Sequence, residues 1–442
     1  MTGRRLLVML VVLGAIGIPA AVLTATCAGR SCDASGGETV RVPFCPLPTA
    51  LKDGIADGFR EGRSPDVLGV GAGTPVYGEV DGLRTPWPAT GASTDPRVPL
   101  VLAGTGVVQG ASVPDWTTLD RVAPTVSDIL GFERDHPEVR SGTSIADVVD
   151  GERPRLVLLI AWKGVGSADL EARMDDWPFL ASLLDEGAGT LEGAAGSLPL
   201  DPAATLTTIG TGGLPSQHGI TGSFVRNRMG EVVDAFATGD PFADGQIIAT
   251  LADDLDRANH STLVGLVATD ERDRGIVGGD WYPGEDPVDS VIGDSATSPL
   301  SVEGHLTTGY GADDVPDVIG VVLDGRVRSM DRWTRKIVTE AHRATSGSTL
   351  VVVAGTGSSE TDRLAVPDKG LVDAVEEAVP GDTPAVTATV PGGLFLDQSV
   401  LRDEQVTGQV AVDALLAATG PDGERMLADA FQGFAVSFAR YC

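Results

Sequence analysis

Short apolar runs recur along the chain between amphipathic stretches. PDVLGV, VPLVLAG, RLVLLIAW, STLVGLVA, PDVIGVVL and STLVVVAG are rich in Val, Ile and Leu and are bounded by Gly, Pro, Asp or Ser. That is the pattern of strands buried on both faces. Between them, apolar residues spaced by three and four predict helices over 50–60, 119–130, 176–186, 203–210, 246–258, 330–345 and 409–418. Strand and helix alternating in this way predict an α/β fold, a mostly parallel sheet with helices on both faces.

Three stretches break the alternation. Residues 1–27 place Arg4 and Arg5 before an apolar run, Leu6 to about Ala25, which reads as an export signal or a retained membrane anchor. Residues 28–40, rich in Gly and Ser, form a tether, and 41–442 are then expected to fold as one domain. The third stretch, 270–314, is acidic and rich in Gly and Pro, and predicts a surface insertion or cap.

With 442 residues the chain can bury a large core. Acidic residues outnumber basic ones by 62 to 32, and a formal charge of -30 repels a phosphate backbone, so nucleic acid is not an expected partner. The expected contacts are the membrane, through an uncleaved N-terminal segment, and an unidentified partner in the cell envelope. The four cysteines, Cys27, Cys32, Cys45 and Cys442, suit an oxidising compartment. Cys45 and Cys442 suggest a staple between the ends of the domain, with unpaired thiols as the alternative. VLAGTGV and VVAGTGS lack the Lys and Ser/Thr of a nucleotide-binding loop, and GxSxG is absent.

Chemistry enters through RPRLVLLIAWKG, DWPFLASLLDEGA and SLPLDPAATLTTIGTGGLPSQHGITG, followed in order by PDVIGVVLDGRVRSMDRW and STLVVVAGTGSS. Together these resemble the alkaline phosphatase superfamily, closest to its type I phosphodiesterase and nucleotide pyrophosphatase branch, over about residues 150–360. Residues 98–132 resemble the closing segment of the same superfamily, yet they precede the opening one, as a circular permutation would produce. Residues 41–150 are then the displaced closing segment and 151–442 the remaining core.

The resemblance implies two divalent metals held by Asp and His, and a Ser or Thr nucleophile. Position by position, this chain departs from that set. Lys163 stands at the first metal-binding Asp, and Pro202, after Asp201, at the nucleophile. Asp324 is retained, but Arg328 replaces the His four residues on. Gly355 and Thr356 take the place of an Asp-His pair, and Thr90 or its neighbours that of the last His. One plausible ligand cannot make a zinc site, which needs at least about three protein ligands, so no metal and no other cofactor is expected.

Of the histidines, His218 belongs to the HGI turn, and His136, His260, His305 and His342 read as surface residues. The replacements suggest a substitute arrangement in which Asp201, as helix cap, takes the place of phosphate, and Lys163, with Arg328, that of metal. A metal-free anion pocket lined by Lys163 and Arg328 is the competing idea. The functional expectation is an exported, catalytically degenerate phosphodiesterase-like domain that binds or scaffolds. Two alternatives stand beside it: a metal-dependent phosphoester hydrolase whose site is rebuilt from Asp201, Thr205, Thr356 or carboxylates of the acidic insertion, and a surface protein whose acidic exterior serves solvation or cation binding.

Overall fold

The computed structural model of the chain describes residues 43–72, 75–90, 95–237, 245–278, 281–282, 288–293, 299–359 and 365–441. The signal or anchor, the whole tether and Cys27, Cys32 and Cys442 lie outside these residues. No helix among the described residues is long and apolar enough to cross a membrane.

Strands and helices are each numbered along the chain. The central sheet has seven strands in the order β10 (Asp289–Ile292), β9 (Val264–Ala268), β11 (Asp317–Leu323), β5 (Leu156–Trp162), β12 (Thr349–Gly355), β4 (Arg97–Gly104), β6 (Ala188–Ala194). From β10 to β12 every pairing is parallel, and β4 joins β12 and β6 antiparallel. The sheet is therefore mostly parallel, as its continuous apolar strands predict. Along β5, Val157, Leu159 and Ala161 enter the core on one face, and Leu156, Leu158, Ile160 and Trp162 the core on the other.

Helices cover both faces. One is closed by α2 (Val122–Leu130), α5 (Pro202–Thr211) and α7 (Leu251–Ala258), through Val126, Ile129, Leu206, Ile209, Leu251 and Leu255. The other is closed by α4 (Pro178–Glu186) and α9 (Val327–Ala344), through Leu180, Leu183, Met330, Ile337 and Val338. Helices α1 (Thr49–Gly58), α3 (Ser167–Glu171), α6 (Pro215–His218) and α8 (Pro299–Thr307) lie at the margins. Each helix expected from the sequence forms, with ends shifted by a few residues where capping decides them.

A second, four-stranded antiparallel sheet runs β14 (Val386–Val390), β15 (Gly393–Leu396), β1 (Val67–Gly71), β16 (Leu427–Gln432). Its core includes Val67, Leu394 and Leu427, packed against α10 (Lys369–Ala378), α11 (Gln398–Asp403) and α12 (Gln409–Ala417) through residues such as Leu371, Leu401 and Leu415. PDVLGV is thus a strand, but of this sheet. It pairs with segments more than 300 residues away, information that a local pattern does not carry. Both ends of the domain meet here: Phe44 N–H donates to Asp429 Oδ2 at 2.8 Å, and the Phe44 and Phe431 rings pack edge-on at 5.1 Å. Cys45 is disulfide-bonded.

Two small sheets complete the fold: β7 (Phe224–Arg226) with β8 (Val232–Asp234), and the hairpin of β2 (Val76–Val80) and β3 (Leu83–Pro86), which β13 (Val366–Pro367) extends.

The acidic stretch from 270 differs from the surface insertion expected. Its first turn, Glu271–Ile276, is a 3-10 segment packed against α5, with Asp273 and Ile276 buried. Strand β10 extends the central sheet, and His305 on α8 is buried, its ring nitrogens near the carbonyls of Ser301 and Asp289 at 3.0 and 2.9 Å. A few apolar anchors suffice to bury a segment whose composition is polar on average.

Candidate functional site

In an open parallel sheet the crevice for ligands lies beyond the carboxyl ends of the strands. Here the register aligns Trp162 of β5 with Leu323 of β11 and with Gly355 of β12. Lys163, Asp324 and Thr356 consequently leave the sheet side by side. The N-terminus of α5 and the 3-10 turn Glu271–Ile276 approach from one face, and the β2–β3 hairpin tip from above.

Lys163 is fully buried, with its Nζ 2.7 Å from Asp273 Oδ1 and 2.8 Å from Asp81 Oδ2. Burial alone would pull the ammonium toward neutrality, but Asp273 and Asp81 outweigh it and hold the lysine above its ordinary pKa. It therefore stays charged and offers no lone pair. Asp273 is oriented from behind by Thr269 Oγ1 and the Asp270 amide, both 3.2 Å from Oδ2. Arg272 bridges the outer side of the cluster, pairing with Asp81 Oδ1 and, at 2.8 Å, with Asp270 Oδ1.

Asp201 caps α5. Its Oδ1 accepts from the Ala203 amide and from Ser223 Oγ, each at 3.0 Å, and Oδ2 accepts from the Ser223 amide at 2.9 Å. Pro202 occupies the first helical position, where its missing N–H costs nothing. Burial pushes the Asp201 carboxyl upward, opposed by the Ser223 donors, and nearby Asp81 adds to the rise. The cap forms as the sequence predicts, and the carboxylate fills the place an anion would take at this helix end.

The expected substitute arrangement, in which Lys163 in the place of metal would pair with Asp201 in the place of phosphate, is corrected. The ammonium is held by Asp81 and Asp273 instead, and Asp201 spends its oxygens on the helix cap and Ser223. Arg328 does not line the site either: it is exposed on the first turn of α9 and pairs with Asp176 at 2.7 Å through Nε. Both the substitute-metal role of Arg328 and a pocket lined by Lys163 and Arg328 fall with this placement.

The remaining expected positions separate. Thr356 is buried beside Lys163, and its Oγ1 accepts from the Gly164 amide at 2.9 Å. Thr205 is buried one turn into α5, its hydroxyl donating to the Asp201 carbonyl at 3.1 Å. At Gly355 an added Cβ would stand 2.2 Å from the Val165 carbonyl oxygen, so a ligating side chain would require the backbone to move. Half-buried Asp324 makes no hydrogen bond or ion pair with another described residue. Thr90 bonds back to the Gly71 carbonyl at 3.0 Å through its amide. His218 is buried: Nδ1 accepts from the Ile220 amide at 3.2 Å, which leaves Nε2–H to face Thr208 Oγ1 at 3.1 Å. Burial drives its pKa down to about 3, so the ring is neutral.

These side chains do not fit a two-metal centre. An ammonium stands where a ligand is required, and Pro202, Gly355 and the occupied Thr356 hydroxyl supply no replacement. Among the described residues no group of three or more His, Cys, Asp or Glu is arranged to hold a metal. Asp81 escapes sequence reasoning, and Asp270 and Asp273 enter it only as unspecified carboxylates of the acidic insertion, because Asp81 and Asp273 lie 82 and 110 positions from the lysine they meet. Only the Asp81-Gly82 turn between alternating runs carried a local signal, that of a hairpin.

Comparison with known proteins bears on the same segment. Residues 157–275 match the family model described as type I phosphodiesterase / nucleotide pyrophosphatase. No curated protein sequence matches the chain. Among solved structures the chain is similar to wild-type alkaline phosphatase PafA, at 15% identity and a TM-score of 0.43, over 60% of this chain and 76% of that one. A multiply substituted PafA mutant gives 14% identity and a TM-score of 0.42 over the same shares. Residues 157–275, which carry β5, α5, Lys163 and Asp273, are thus the part of the chain that is similar to the type I phosphodiesterase / nucleotide pyrophosphatase family.

Proposed function

We propose that this phosphodiesterase-like domain is a non-hydrolytic binding or scaffold module, exported and held at the outer face of the membrane or released from it. One observation carries the reading: the Lys163 ammonium lies buried between Asp81 and Asp273, at the strand end where the family's first metal ligand is implied. An internal ion pair fills that place, and Pro202 brings no hydroxyl to the nucleophile position. The same reading takes residues 98–132, which form β4 and α2, as the family's closing segment moved to the front. Its test is a phosphodiester hydrolysis assay on the purified full chain, paired with metal analysis. The expected result is no turnover above the protein-free rate and no stoichiometric zinc. Bound zinc together with turnover that a chelator abolishes would overturn the reading.

A second reading, a hydrolase with a rebuilt site, is favoured by the family match and by the meeting of Asp81 and Asp273 at Lys163, with Asp270 joined to them through Arg272. For it to hold, the Lys163 ammonium must leave that centre when metal binds, and added zinc would then raise the melting temperature and produce turnover.

A further inference from the structure

The β2–β3 hairpin turns at Asp81-Gly82 with φ of 52° and 76°, the geometry of a type I′ turn. A tip of this kind ordinarily points its polar side chain to water. Here Gly82 is exposed, yet the Asp81 side chain is only 8% exposed, and its two oxygens are divided between Lys163 and Arg272. Leu83, the next hairpin residue, reaches the same edge: a Cβ added to Gly164 would stand 3.1 Å from Leu83 Cδ1. The hairpin is held from behind, where β13 pairs with β2 and the Arg84 guanidinium lies 5.0 Å over the Tyr77 ring.

We infer that this hairpin is an intramolecular plug, its tip carboxylate occupying as a tethered anion the cradle made by Lys163 and Arg272 at the carboxyl edge of the sheet. A buried ammonium and a partly buried guanidinium aimed at one carboxylate are a binding site for a small carboxylate anion once Asp81 is removed, because Lys163 then keeps only Asp273 as a carboxylate partner and buried charge left short of partners is costly. The closure adds to the silenced-site reading and rests on it for its meaning, since over a working site the same hairpin would be a lid.

The test reads the hairpin and not turnover. Asp81→Gly removes the carboxylate while glycine accepts the left-handed backbone, and Asp81→Asn removes the charge at constant volume. Either variant should melt below the wild type, and in Asp81→Gly, where the place of the carboxylate is empty, formate or acetate should recover part of that loss where chloride at the same ionic strength does not. In the wild-type chain, amides of residues 76–86 should exchange as slowly as strands of the central sheet, and in the variants faster by roughly an order of magnitude. Equal rescue by chloride, or variants as stable as the wild type, would overturn the plug. So would wild-type hairpin amides exchanging at unprotected rates, an observation that decides the matter even if neither variant folds. Turnover in the hydrolysis assay would instead sink the silenced-site reading and leave the closure in place.

Discussion

A buried ammonium between two carboxylates gains little over a well-packed apolar side chain, because desolvation offsets the attraction; what it prevents is a bare charge in the core. Lys163→Met should therefore lower stability by about 3–5 kcal/mol, since Asp81 and Asp273 lose their shared cation. Adding Asp273→Asn should return part of that loss, and urea denaturation of the two variants measures both effects. His218 gives a second prediction. Its folded pKa of about 3 lies below the ordinary 6.5, so the unfolded chain binds the extra proton. The stability this residue contributes is complete above pH 6.5 and is lost as the pH falls toward 3. His218→Asn, whose amide oxygen can replace Nδ1 as acceptor for Ile220, should lack that slope when free energies of unfolding are compared across the window.

The N-terminus of α5 shows how one element is fixed from both directions. Sequence supplies the Asp-Pro start, and the fold brings Ser223, 22 positions away, onto the same carboxylate. Asp201→Ala should cost about 1–3 kcal/mol, through the lost cap and the stranded Ser223 donors. Asp201→Asn keeps one acceptor oxygen for Ala203 and Ser223 Oγ and removes a charge that burial and Asp81 both disfavour, but its NH2 cannot accept from the Ser223 amide, so it should cost about 1 kcal/mol, less than the alanine variant. Thermal melts of the pair separate hydrogen bonding from charge. The C-terminal end of the same helix is closed by Arg134 and Arg140, which donate to the Thr211 carbonyl at 2.9 and 3.0 Å and converge on Asp254. The helix that carries the nucleophile position is thus locked at both ends.

At the scale of the whole molecule, two sheets share one chain whose first described residues, at Phe44, return to its last strand, at Asp429 and Phe431. Strand β1 lies between β15 and β16, so residues near position 67 hold the C-terminal sheet together. We propose that the disulfide at Cys45 fastens this junction through Cys442, which lies outside the described residues. Peptide mapping without reduction should recover Cys45 joined to Cys442 and not to Cys27 or Cys32. Cys45→Ser should lower stability by about 2–5 kcal/mol, near the upper end because the closed loop is nearly the whole domain.

By itself the sequence determined the elements and which side chains stand at positions 163 and 202. Short Val, Ile and Leu runs bounded by Gly, Pro and Asp favour strands buried on both faces, a three-and-four spacing presents one apolar helix face, and a lysine and a proline supply neither carboxylate nor hydroxyl. Tertiary structure decided who meets Lys163, that PDVLGV leaves the central sheet for another, that Arg328 turns outward, and that an acidic stretch dips into the core. Local patterns report which way a side chain faces within its own element. A contact across 82 or 110 residues is set by the path of everything between, and no window of neighbouring residues contains it.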